Sequence, residues 1–409
     1  MTSRLVPGRA RDRRGAALPV ALMGLVAITL LVTAALFTSS TEYAISRAHR
    51  FAASSLFNAD GALEQYVAQR VATNEKGWLI QADADAVAGP DGQNYTVQVD
   101  KLSDTRDTLS VPMRRDEVFS LLVQPANGRG RGVGAFIRTL RTANRLNTNI
   151  NAGATSGGDL RVSGNATISD GRSGTNYCGA ANNRSDYAVQ VTAGAEITLG
   201  NNATRNLEGA ADTASFTKAF LEHNVLGTGM TVRQLAEAAE IQFGRTYGED
   251  EFSTQPINAD TDTDSRYNWG CPASLGVTCP SPASAERHVV VAIDANGGTV
   301  RLNGRYGQGM LIVINGSLEI QGNFTYKGII LVERDLSIRG GTPGNESKIE
   351  GGVISFGASS TVEDNISGTA TIKYNICAIN DAESALNRSA LDNAAQKRNG
   401  SNSWYELIR

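Results

Sequence analysis

The longest uninterrupted pattern in the chain is apolar. Residues 16–37, AALPVALMGLVAITLLVTAALF, hold no charged or amide side chain, and the first charge after Arg14 is Glu42. As a helix rising about 1.5 Å per residue, such a run crosses the roughly 30 Å of bilayer hydrocarbon. Beyond it, small and apolar residues keep helical spacing at Ala44, Ala48, Ala52, Leu56, Ala59, Leu63, Val67 and Val71. Arg47, Arg50, Asp60 and Glu64 fall between them. The pattern predicts one stem helix over 16–73, apolar all round in its first half and amphipathic in its second.

From Tyr95 onward the period shortens to two. Residues 95–99, 108–111, 118–123 and 134–142 read as strands, with a Gly-Arg-Gly-Arg-Gly turn at 128–132. They predict a small antiparallel sheet over 90–142, packed on the lower half of the helix. Arg114, Arg115, Arg129 and Arg131 could form a basic patch there, although a solvated turn is the simpler reading.

From 147 the texture changes again, to very short strands between Gly and Asn turns. Residues 311–322, LIVINGSLEIQG, superpose on 329–340, IILVERDLSIRG, with an offset of 18 and Gly322 over Gly340. A period of that length with short strands predicts a β-solenoid, here a right-handed parallel β-helix, with inward Ile, Leu and Val in stacked columns. Its two parts are expected over 147–206 and 288–380. The segment 207–287 between them reads as a helical and loop insertion, with helices over 213–223 and 231–243 and Thr231 capping ahead of Gln234. Residues 382–395 read as an amphipathic helix capping an open end of the solenoid, within a closing segment 381–409 whose tail docks as a strand or plug. The expected class is α+β, mainly β.

Composition supports this thin, turn-rich architecture. Glycine supplies 43 of 409 residues, aromatics only 6%, and the formal net charge is −3, which gives no reason to expect a nucleic-acid partner. The four cysteines are Cys178, Cys271, Cys279 and Cys377. Outside the cytoplasm they read as disulfides. Cys271 and Cys279 bracket a Pro/Gly-containing loop and are expected to pair; Cys178 and Cys377 are either bonded or free. A zinc site would need further ligands that the sequence does not place nearby. Asp260, Asp262 and Asp264 alternate as calcium ligands do, but Ser265 stands where an EF-hand loop needs Gly and Cys271 where it needs Glu.

No catalytic set emerges, and no cofactor is expected. His49, His223 and His288 are isolated, and no serine or cysteine lies in a nucleophile motif. Glu319, Glu333, Asp335, Arg334 and Arg339 fall on neighbouring coils, the arrangement a polysaccharide-cleaving β-helix would use. Solvated charge on an outer face is the simpler reading.

The N-terminal context adds a specific pattern. Arg4, Arg9, Arg11, Arg13 and Arg14, opposed only by Asp12, form a basic leader over 1–15, which keeps that end in the cytoplasm. A secretory signal peptide, with Ala34-Ala35 as a loose cleavage site, and a plain membrane anchor share those features. Arg13-Arg14-Gly15-Ala16-Ala17-Leu18-Pro19-Val20 resembles the prepilin peptidase site of type IV pilin-like proteins. The resemblance implies cleavage between Gly15 and Ala16, with N-methylation of Ala16. Residues 57–64, FNADGALE, are similar to the corresponding segment of PilX-type minor pilins, apart from Asn58 and the order of Gly61 and Ala62. Most pilins carry glutamate at the fifth mature position; here it is Val20. A subunit without that acid suits a fibre tip or a priming complex.

The resemblance therefore implies a single-pass inner-membrane protein displayed on a pilus or cell surface. Its partners would be other pilins, prepilin peptidase and a surface ligand or polysaccharide. A tip pseudopilin of type II secretion and a membrane-anchored carbohydrate-binding or carbohydrate-cleaving β-helix are the alternatives.

Overall fold

The computed structural model describes residues 17–73, 77–128, 132–171, 187–200, 207–213, 217, 221, 226, 231–244, 266–342, 344–357, 364–398 and 403–407. The chain forms two units: Met1–Ser103, Glu117–Thr139 and Arg398–Arg409 in one, Asp104–Asp116 and Leu140–Lys397 in the other.

The first unit is built on α1 (Ala17–Thr73), a helix of 57 residues. Four strands follow: β1 (Ala82–Ala88), β2 (Asn94–Asp107), β3 (Met113–Pro125) and β4 (Gly132–Ala143). They lie in that order in one sheet, joined on β4 by β20 (Lys397–Arg398) and β21 (Ser403–Leu407). β21 runs antiparallel to β4, so the tail closes the sheet as a strand. Alternation decides the faces. Tyr95, Val97 and Val99 of β2 and Phe119, Leu121 and Val123 of β3 point inward and share a core with Ala59, Ala62, Leu63, Tyr66 and Val67 of α1. β1, ADADAVA, extends the sheet below the expected 90–142.

In the second unit the strands pair in parallel, in three ladders. The first runs β12 (Ile241–Phe243), β13 (Val289–Asp294), the end of β14 (Thr299–Ile314), the end of β15 (Ser317–Val332), the end of β17 (Ser347–Ser355), β5 (Ala152–Ser156), β8 (Tyr187–Val191) and β11 (Ala211–Asp212). The second joins the starts of β14 and β15 to β16 (Leu336–Gly340), β18 (Asp364–Ser367), β6 (Leu160–Val162) and β9 (Ile197–Leu199). The third joins the middles of β14 and β15 to the start of β17, then β19 (Ala370–Tyr374), β7 (Thr167–Ser169) and β10 (Leu207–Glu208). Side chains from all three ladders meet in one apolar core. Two helices pack outside that core, α2 (Val232–Glu237) and α3 (Ile376–Asp392).

The order along the first ladder is not the order along the chain. The strands of residues 152–212 stack directly on those of 347–374, and the later segment winds back from β12 to meet them. The two segments expected as separate parts therefore share one set of ladders.

Patterning explains why the first ladder differs from the second. In β16 and the starts of β14 and β15 apolar and polar residues alternate, because only one face is covered. The runs Met310–Val313 and Ile329–Val332 are apolar throughout, because both faces are. Leu311, Val313, Ile330 and Val332 face the inner core, while Met310, Ile312, Ile329 and Leu331 lie under α3. Helix α3 lies along this flank and contacts β13, β14, β15 and β17; it does not cap an end. It also starts earlier than expected, at the Asn375 cap, whose side chain accepts from the Cys377 and Ala378 amides.

Two further expectations are corrected. The offset of 18 holds for Leu318 over Leu336 and Gly322 over Gly340, but Leu311 pairs with Ile330, one position further on. The pairing shifts between Asn303 and Arg305, where β15 carries an extra residue. The next turn takes that residue back. Second, the helix expected over 231–243 stops early. Thr231 does form the capping box with Gln234, but α2 ends at Glu237 and 241–243 become β12, held by pairing with β13. The helix expected over 213–223 lies largely outside the described residues.

Asp364 holds the junction between the two segments. It is 3% exposed. Its carboxylate accepts from Ser156 Oγ at 2.5 Å, from the Leu336 amide at 2.6 Å and from Ser355 Oγ. Burial raises its pKa against the pull of those donors, with Asp335 adding a smaller push upward. A raised native value means that ionisation costs more in the folded state. The associated stability is complete below the unfolded carboxylate value, about 3.9, and is lost as pH rises through the native value. Asp364→Asn should therefore melt no lower than wild type at neutral pH, with a flatter pH profile. Its amide can donate to the serines, since Ser156 Oγ has the Gly158 carbonyl as an alternative acceptor at 2.9 Å. Asp364→Ala strands the buried Leu336 amide and the Ser355 hydroxyl and should cost about 3 kcal/mol in chemical unfolding.

Candidate membrane and assembly surface

Helix α1 changes character along its length. Every described side chain of residues 18–50 is exposed, including Leu22, Met23, Leu25, Ile28, Leu30 and Leu31. The helix is long and apolar enough to cross a membrane. Its hydroxyls do not spoil that surface. Thr29, Thr33 and Thr38 each donate to the carbonyl four residues back, at 2.7–2.9 Å, and Thr41 donates to Phe37 at 2.8 Å. A hydroxyl satisfied within its own helix is compatible with hydrocarbon.

Burial begins at Ser55 and follows Ala59, Ala62, Leu63, Tyr66 and Val67, one stripe at helical spacing. The stripe expected from Ala44 is thus only half used. Ala44 and Ala48 stay exposed, as do Tyr43, Ile45, Phe51 and Phe57, while Val71 is 47% exposed. The sheet covers only the last turns, and about three turns of patterned helix above it are bare.

Residues 57–64 are where the helix meets its sheet. Gly61 lies against the Pro90 ring, and a Cβ there would stand 2.5 Å from Pro90 Cγ. Ala62 beside it is fully buried. The order Gly61-Ala62 is therefore required by the Pro90 turn. Asn58 donates to Asp91 at 3.1 Å, and so does Tyr95 Oη. Burial first, then that hydrogen bond, pushes the Tyr95 phenol up to about 12. Further along the helix, Tyr66 Oη donates to Asp85 at 2.9 Å, and Arg70 pairs with the same carboxylate.

Val20 lies on the exposed apolar stretch, 68% accessible. Gly15 and Ala16 lie outside the described residues, as do Cys178, His223, Arg129, Arg131, Asp260, Asp262 and Asp264. Cys271 and Cys279 form a disulfide, and Cys377 is disulfide-bonded as well. His49 is exposed on α1. His288 Nε2 is 3.5 Å from Asp381, and Lys327 Nζ is 3.3 Å from the same carboxylate.

The charges on neighbouring windings are mutually engaged. Glu319 accepts from Gln321 at 2.7 Å and Arg301 at 3.0 Å, with Arg339 at 3.9 Å, and the Gln321 bond leads in holding its carboxyl below the ordinary value. Glu333 takes Arg233 and the Asn315 amide, and Asp335 takes Ser317 Oγ at 3.2 Å. Among the described residues no cluster of three His, Cys, Asp or Glu could hold a metal ion.

Arg115 does not join a basic surface patch. It is buried and belongs to a network in the second unit that the sequence did not announce. Its guanidinium grips Asp104 with two bonds, at 2.8 and 2.6 Å, and reaches Asp392 at 2.7 Å.

No family profile and no curated protein matches the chain. Among solved structures, the competence-associated pilin ComZ from Thermus thermophilus aligns over 88% of this chain and 97% of its own, at 13% identity and a TM-score of 0.18. At that score the alignment carries no inference about fold.

Proposed function

We infer that this protein is a minor, PilX-type pilin-like subunit of a type IV pilus, located at the fibre tip or in the complex that primes assembly. The observation that carries the reading is α1. It is one helix whose first half is bare and apolar and whose last turns alone carry a folded sheet. The bare patterned turns between them suit packing among the stems of other pilins. The basic leader with Gly15 at the membrane edge fits processing by prepilin peptidase, and the charge asymmetry fits a single pass through the inner membrane with everything after the apolar run outside. On this reading the three parallel ladders are a right-handed β-helix displayed as a non-catalytic head.

Val20 gives the tip assignment its physical basis. A glutamate at that depth is costly unless paired. In pilins its partner is thought to be the terminal amine of a neighbouring subunit, and a terminal subunit has no use for it. Immunogold labelling of this protein should mark fibre ends, and Val20→Glu should move label onto the shaft. Label spread along wild-type fibres would contradict the tip location.

A further inference from the structure

Beside the disulfide loop of the second unit lies an open cleft of about 530 Å³, within the range of small-molecule sites. Its floor is Thr325, whose strand neighbours Phe324 and Tyr326 point into the core. Arg305, Tyr306 and Asn323 line one side, Glu346 and Lys348 another, and the loop tip at Leu275–Val277 forms the rim. The cleft sits where β15 carries its extra residue beside Gly304. Bulges of this kind re-aim side chains.

What separates three of these residues from the rest of the outer surface is that their polar groups are unspent. Arg301 and Gln321 bond Glu319, and Lys327 bonds Asp381. Among the described residues, the Arg305 guanidinium, the Asn323 amide and the Thr325 hydroxyl make no side-chain hydrogen bond or ion pair, yet all three converge on one cleft. Lys348 and Glu346 form a loose pair at 3.4 Å, so the cleft's net charge is +1 from Arg305.

We propose that this cleft binds a segment of an acidic polysaccharide, one carrying uronate carboxylates. The Arg305 fork matches a carboxylate. Asn323 and Thr325 each offer a donor and an acceptor, as vicinal sugar hydroxyls require. Tyr306 supplies a half-buried ring for the flat apolar face of a pyranose. The site does not depend on fibre assembly.

The test is calorimetric titration of the full chain in detergent with a galacturonate hexamer, a neutral maltohexaose and a hexaglutamate peptide. The galacturonate hexamer should bind, weakening as salt rises, and bind more tightly than either comparator. Arg305→Ala should weaken it about tenfold or more, and Asn323→Ala severalfold. Arg301→Ala, outside the cleft and already paired, should leave affinity unchanged. Thermal melts of each variant confirm that it is folded. Absence of binding by wild type, equal binding of hexaglutamate, or full affinity in Arg305→Ala would each overturn the proposal.

Discussion

Gly328→Ala should unfold the parallel unit or come close to it. Gly309, Gly328 and Gly351 stand in register on three successive windings, with φ of +115°, +140° and +139°. At each the strand bends from the third ladder into the first. Two costs add for alanine at the middle position. The backbone conformation is one that residues with a Cβ rarely adopt, worth roughly 1–3 kcal/mol. The new methyl would also overlap the Gly309 carbonyl oxygen, and both are backbone-fixed. No side chain can move aside to relieve it. A total near 4 kcal/mol is a large share of the roughly 5–15 kcal/mol that stabilises a typical domain. Gly244→Ala, where a Cβ meets open space, should change stability by under about 0.5 kcal/mol. Thermal melting of the two variants in detergent checks the claim. A wild-type melt for Gly328→Ala would mean the windings do not stack at this column.

The second large effect is expected at Arg115. Its side chain is 8% exposed, against 21% for Asp104 and 38% for Asp392. Asp392 ends α3, and its carbonyl accepts from Arg141 at 2.6 Å. Arg106 also reaches its carboxylate, at 3.3 Å. Removing the central guanidinium leaves the Asp104 and Asp392 carboxylates facing one another without it, with Arg106 reaching both. Breaking a buried pair in this way costs about 3–5 kcal/mol, and the half-exposed Asp392 moves the expectation to the lower end. Arg115→Met should therefore lower unfolding free energy by about 3 kcal/mol. Arg115→Lys should recover only part of it, because an ammonium cannot hold Asp104 with two parallel bonds. Denaturant titrations of the two variants measure both numbers. A neutral Arg115→Met would show that the network contributes nothing net.

What could be read from the sequence follows from how local its physics is. The stem was legible because an apolar run and a period near four are properties of neighbouring residues. Gly322 over Gly340 exposed the winding repeat for the same reason. β1 escaped because ADADAVA carries small and acidic residues that do not favour strands, and only its pairing with β2 makes it one. Ile241–Phe243 continued a helical pattern until β13 claimed it as an edge partner. The Arg115 network had no signature at all, since its two ends lie 277 residues apart. The cleft was invisible too. Arg305, Asn323 and Lys348 become neighbours only when windings stack.

The stem reading meets its most direct test in the mature N-terminus. Mass spectrometry of the membrane-extracted protein should find a chain beginning at Ala16, methylated on its amine, and only in cells with active prepilin peptidase. A chain that keeps Met1, or one that starts beyond the apolar run, would contradict it.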